Sequence, residues 1–125
     1  MSNDPMATHG APSWIGHNGA DPAAARKFYE SVLGWNVVDM PMKDGSAYPG
    51  IMVGEKGVGG FNPQPNTNGH WLVYVTVDDV DARYKDALKA GANSVAEPAD
   101  FPGVGRMATI KDPFGANLAF ISYAS

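Results

Sequence analysis

The chain has 125 residues, 44% of them hydrophobic, with a formal net charge of −4 and no cysteine, which is enough apolar content for one packed domain. No lysine–arginine cluster offers a nucleic acid the cations its phosphates require. No apolar run approaches the ~20 residues of a membrane-spanning helix, no signal-peptide pattern opens the chain, and the lack of cysteine excludes disulfides and thiolate chemistry and fits a cytoplasmic location.

Residues 1–11 are polar, are interrupted by Pro5 and Gly10, and read as a flexible N-terminal segment. Residues 12–125 read as a single domain of two similar modules, 12–62 and 70–125, joined by a Pro-, Asn- and Gly-rich linker over 63–69. Ser13–Gly19 is strand-like. Asp21 then opens a helix as its cap, Pro22 suits the first turn, and Gly34 can take the left-handed stop conformation. Between them Ala25, Phe28, Tyr29, Val32 and Leu33 fall at the spacing of one buried face. Trp35–Met40 follows as a strand, and Ala47–Val53 and Gly57–Phe61 read as a hairpin around Gly54-Glu55-Lys56.

The second module repeats this order. Trp71–Val77 is a strand, and a helix from Asp79 to Gly91 sets Val80, Tyr84, Ala87 and Leu88 on one side. Strands at Ser94–Glu97, Arg106–Lys111 and Ala116–Tyr123 follow, with a longer excursion from Pro98 to Gly105. Asp112-Pro113-Phe114-Gly115 turns the chain between the last two. The pattern is βαβββ twice, and two such units can enclose one cavity.

Alternation along a strand sorts side chains between its two faces. In the first strand Trp14, Gly16 and Asn18 share the cavity side, with Ile15 and His17 opposite. In Trp71–Val77 the valines Val73, Val75 and Val77 suit a helix-covered face, which leaves Leu72, Tyr74 and Thr76, with His70 in the same parity, facing inward. A cavity lined by aromatic, apolar and neutral hydrogen-bonding groups has the composition of a small-molecule pocket. The candidate ligand contacts are Trp14, Asn18, Tyr48, His70, Tyr74, Arg106 and Met107. Trp14 can stack on a flat ligand, Tyr74 supplies a hydroxyl, and Tyr48 and Met52 line the first module's side. Arg106, after Gly103-Val104-Gly105, can hold a carboxylate or phosphate at the mouth, or can simply be a solvated edge cation. His70 is a rim donor or base, or a solvated end to the linker. Asp78, Asp79 and Asp81 suit helix capping and the helix dipole better than a cation site.

These residues resemble the vicinal oxygen chelate superfamily, the group of glyoxalase, extradiol dioxygenase and bleomycin-resistance domains. The likeness is carried by Asp21-Pro22, Phe28-Tyr29 and Leu33-Gly34-Trp35 in the first module. In the second it is carried by Trp71-Leu72-Val73-Tyr74, the run from Val77 to Ala82, the run from Pro102 to Arg106, and Asp112-Pro113-x-Gly115. The resemblance implies an α+β fold in which two βαβββ modules form an eight-stranded cup with helices packed outside. It also implies a homodimer.

Enzymes of that group hold a divalent metal with His and Glu inside the cup. Carried over by spacing, those positions fall on Trp14 (or Gly16), Leu72 and Ala119, none of which can ligate a cation through its side chain. The resemblance therefore implies no metal, no cofactor and no assigned catalytic residue, in a metal-independent protein that binds a largely apolar or aromatic small molecule, as bleomycin-resistance proteins do. The alternative is a metal-dependent glyoxalase-like lyase, isomerase or dioxygenase, with ligands drawn from His17, His70 and Glu55 or Glu97. A third reading is a structural or regulatory module whose cup is filled by its own side chains.

Overall fold

A computed structural model describes residues 4–42 and 44–124 of the chain. It divides into a first unit, Trp14–Leu72, and a second, Val73–Ser125 together with Met1–Ser13.

The first unit takes in β1 (Pro12–Asn18) from Trp14 onward, α1 (Pro22–Leu33), β2 (Asn36–Pro41), β3 (Ala47–Val53) and β4 (Lys56–Phe61). Its strands lie in the order β2-β3-β4-β1. The two hairpin pairs are antiparallel, and β4 and β1 run parallel. Asp21 caps α1 through its carboxylate, which accepts from the Ala24 N–H at 3.1 Å, and Gly34 ends it at φ 68°. Ala25 and Tyr29 pack on a core of Val37, Ile51 and Phe61.

The apolar stripe of α1 is wider than its buried face. Phe28, Val32 and Leu33, expected inside, are 58%, 60% and 54% exposed. Ala25 and Tyr29 form one i, i+4 row that meets the sheet. Phe28 and Val32 belong to the adjacent row, turned away from it, and Leu33 ends the helix.

The second unit takes in β5 (His70–Thr76) from Val73, then α2 (Val80–Lys89), β6 (Asn93–Phe101), β7 (Gly105–Lys111) and β8 (Asn117–Tyr123). Its order, β5-β8-β7-β6, repeats that of the first unit, with the first strand parallel to the last. The α+β reading of two βαβββ modules is therefore what the backbone adopts. Asp79 caps α2 through the Ala82 N–H at 3.1 Å. Val80, 2% exposed, packs with Val77 and Ala108 beside Tyr84, whereas Leu88, expected on that side, is 38% exposed.

Strand β6 runs four residues beyond the expected Glu97 and takes in the start of the Pro98–Gly105 excursion. Two register irregularities, at Ser94/Ala96 and Ala96/Ala99, break its alternation and hide the strand from a period-two reading. Pro98 is tolerated because β6 ends its unit's strand order.

The N-terminal segment, described from Asp4, makes a short 3-10 helix at Pro5–Ala7. It then pairs with β5: Gly10 N–H donates to the Thr76 carbonyl at 2.7 Å, and Thr76 N–H donates to the Ala11 carbonyl at 2.9 Å. Residues 1–3 of the segment read as flexible lie outside the described residues. Among the described residues no helix is long and apolar enough to cross a membrane.

Candidate functional site

The sheet of the first unit has one face under α1 and one without a helix from its own unit. On the second face a row of glycines crosses three strands: Gly16 on β1 pairs with Gly60 on β4, which pairs with Gly50 on β3. All three are buried. Their missing side chains make room for larger neighbours. A β-carbon at Gly60 would overlap the Tyr48 ring, and one at Gly50 would overlap the Met40 sulfur. At the start of β4, Gly57 lies against the six-membered ring of Trp14. Trp14 and Tyr48 face each other with ring centroids 6.5 Å apart and planes tilted by 32°. Together they form an aromatic shelf on a glycine floor.

Burial pushes the Tyr48 pKa above its ordinary value, and a hydrogen bond from the Trp14 indole offsets this in part. The phenol is therefore neutral at physiological pH and serves as a flat apolar surface with one polar tip.

Asn18, 8% exposed, lies on the same face at the far end of β1. Its side-chain oxygen accepts from the Asn62 side-chain amide at 2.9 Å, and its own amide donates to the Gly16 carbonyl at 3.3 Å. The Asn62 backbone N–H bonds the His17 carbonyl at 2.9 Å. The side chains of these two asparagines thus fix each other in the turn after β4.

His17 points to the opposite face of β1. Its ring sits among Tyr29, Phe61 and Trp71 at 5.8, 5.3 and 4.9 Å between centroids. Its Nδ1 is buried with no hydrogen-bond partner. Burial, and secondarily the nearby His70, hold its pKa below the ordinary 6.5. His70 begins β5, with its Nδ1 2.6 Å from the Asn68 carbonyl.

In the second unit Tyr74 pairs in register with Ala119, and Met107 with Ile121. By strand alternation these residues share the face away from Val75, Ala108 and Phe120, which pack under α2. Arg106 lies on the α2 side instead. Its guanidinium meets the Asp81 carboxylate with two bonds of 2.7 and 2.9 Å and Asp100 with one of 3.0 Å. These carboxylates occupy the groups that a ligand anion would need. Asp78 is likewise spent on Arg83, so of the three aspartates only Asp79 is a cap.

The structure therefore brings together Trp14 and Tyr48, with Asn18 on the same face of the same unit. It separates Arg106 from Met107 by the alternation of β7. Sequence reading missed Asn62 and the glycine row, and the β1–β4–β3 register reveals the latter.

Two surface depressions lie elsewhere. One of ≈ 310 Å³ borders the Phe101-Pro102-Gly103 turn, and one of ≈ 570 Å³ lies between the first turn of α1 and Pro49 and Pro63. Neither contains Trp14, Tyr48 or Asn18; the first is lined by Asp100, Arg106 and Ser122 among others, the second by Asp21, Arg26, Lys27 and Glu30. The candidate site is the shelf, where two aromatic rings and an amide share one sheet face of the first unit.

The metal that the fold family implies finds no donors at the carried-over positions. Trp14 is packed on Tyr48, Gly16 has no side chain, Leu72 is aliphatic, and Ala119 is 0% exposed between Tyr74 and Thr109 in the ladder. Among the described residues no three of His, Cys, Asp or Glu cluster closely enough to hold an ion, and that includes His17 and His70 with Glu55. The donor set does not fit the group.

Two βαβββ units in one chain, each with one helix and four strands, define the class of fold. The sequence model of the Glyoxalase/Bleomycin resistance protein/Dioxygenase superfamily matches residues 12–120, and the chain belongs to that superfamily. It is 43% identical over 105 residues to a protein of Mycobacterium tuberculosis named "Putative glyoxylase CFP32", covering 82% of this chain and 40% of that protein. It is 32% identical over 126 residues to the Streptomyces peucetius "Anthracycline biosynthesis protein DnrV", covering 88% of this chain and 46% of the relative. The chain thus spans less than half the length of the curated relatives it matches. Among solved structures it is similar to a variant of Streptomyces coelicolor methylmalonyl-CoA epimerase, with TM-score 0.65, 18% identity, and coverage of 94% of this chain and 97% of that one. That likeness concerns the fold.

Proposed function

We propose that this chain binds a flat, largely apolar or aromatic small molecule without a metal, stacked on the Trp14–Tyr48 shelf. The observation that carries the reading is that shelf: two neutral aromatic rings resting on glycines, one of which, Trp14, stands at a position that the resemblance assigns to an ion ligand. Aromatic faces bind planar π-systems by offset stacking and burial of apolar area. Asn18, held by Asn62, adds a polar group that orients the ligand, since an amide can meet a carbonyl or hydroxyl edge.

Trp14 and Asn18 lie four residues apart on one strand face, a separation of about 13 Å at ~3.3 Å per residue. A ligand touching both is longer than a single ring. The likeness to a protein named for anthracycline biosynthesis supports a fused polycyclic ligand of that general shape.

The test uses 1,4-dihydroxyanthraquinone as probe and reads its own visible absorbance, so that loss of a tryptophan does not remove the signal. Saturable binding to chelator-treated protein is expected, with at least about tenfold weaker affinity in Trp14→Ala. Binding that appears only after a divalent metal is added, or equal affinity in Trp14→Ala, overturns the reading.

A further inference from the structure

We propose that His17 is a positioning residue whose protonation loosens β1 and releases the ligand face that Trp14 and Asn18 carry. The ligand clause rests on the function proposed above; the conformational clause stands on geometry alone.

The imidazole is boxed by Tyr29 from α1, Phe61 from β4 and Trp71 from β5, and the titratable group beside it on β5 is His70. Among the described residues, neither the ring contacts nor the electrostatic partners of His17 include a carboxylate. The buried Nδ1 has no acceptor. A second proton would therefore place a charged N–H at a buried position where no described residue accepts it. The aromatic rings offer a compensating attraction to a cation, but two of the three, Tyr29 and Trp71, meet the imidazole edge-on, at 66° and 77°, and His70 opposes the charge. The neutral form wins inside the box, and the charged form is favoured only outside it.

The ring lies close against backbone. Its Cε1 lies only 2.7 Å from where a β-carbon of Gly19 would stand, so the chain folds closely against it on one side. His17 pairs in register with Phe61 on the other. Its carbonyl holds the Asn62 backbone N–H, and the Asn62 side chain holds Asn18. Expelling the imidazole therefore breaks the clamp that sets the polar end of the proposed ligand face.

The sign follows from linkage. With the folded-state pKa below 6.5, stability is complete above the unfolded value and is lost as pH falls through the folded one.

The test combines three measurements on the full chain. Nuclear magnetic resonance titration of the imidazoles should place His17 below the unperturbed histidine range, and an ordinary or raised value overturns the proposal. The thermal midpoint of the wild type should fall between neutral and mildly acidic pH, with the fall much reduced in His17→Phe, which keeps an apolar ring in the box. An unchanged pH slope in His17→Phe contradicts it. Should that variant fail to fold, His70→Gln serves instead, since removing the second imidazole should raise the His17 midpoint; no upward shift contradicts the proposal. Affinity for 1,4-dihydroxyanthraquinone should drop about tenfold over the same pH interval in the wild type and less than about twofold in His17→Phe. Equal drops refute the ligand clause. A probe that binds at no pH instead counts against the proposed function, while the first two readouts still decide the conformational clause.

Discussion

Tyr48 lies across Gly60, with its ring in the space that a β-carbon on the glycine would fill. This relationship links neighbouring strands whose register slips at a bulge between Ile51 and Met52. It is what makes an aromatic shelf possible on this face, because a side chain at Gly60 would lift the phenol off the sheet and away from Trp14.

Gly60→Ala should therefore destabilise the protein by about 1–3 kcal/mol, the usual cost of overpacking a tight site. Probe affinity should fall with it. Urea unfolding checks the first expectation; a variant as stable as the wild type would mean that Tyr48 moves aside freely.

Alkaline titration follows from the Tyr48 environment. Its pKa is raised, chiefly by burial, so stability is complete below the unfolded tyrosine value of about 10 and declines as pH rises through the folded one. Like Tyr123, whose pKa burial also raises, Tyr48 should ionise late in ultraviolet difference titration. Trp14→Phe should delay it further, because the indole hydrogen bond is the influence that lowers this pKa. An earlier midpoint in that variant would contradict the geometry.

Asp21 and Asp79 each satisfy an N–H in the first turn of a helix. Replacing either by alanine should cost about 1 kcal/mol, and the two losses should add, since the caps lie on separate helices. Neither change should alter probe affinity by more than about twofold. A larger change from Asp21→Ala would place the ligand nearer the first turn of α1 than the shelf.

Arg106 separates two readings of one residue. Bound to Asp81 and Asp100 on the α2 side, it should be dispensable for binding, and Arg106→Ala should lower the thermal midpoint only slightly, as exposed ion pairs do. High salt should shrink the difference further. Loss of probe binding in this variant would restore it as a ligand contact.

The parts of this architecture that are local in sequence were legible. Asp21, Gly34 and Asp79 mark helix ends by chemistry that acts within four residues, and alternation placed Trp14 and His17 on opposite faces of β1. What escaped reading depends on distant register. The glycine row needs the β1–β4 and β4–β3 alignments. The extension of β6 was hidden by two irregularities, and the exposure of Phe28 and Val32 depends on which row of α1 meets the sheet. Arg106 faces away from the proposed mouth because its neighbour Met107 takes the other side of β7, a parity that the glycine-rich run before it did not fix.

The central claim, that an aromatic shelf replaces an ion in this member of the superfamily, is tested most directly by calorimetric titration of the anthraquinone probe into protein stripped by chelation, then repeated with zinc, nickel or manganese restored. The account predicts no stoichiometric metal in the starting protein by elemental analysis and the same affinity, within about twofold, in every titration. A tightly held divalent ion on which probe binding depends would contradict it.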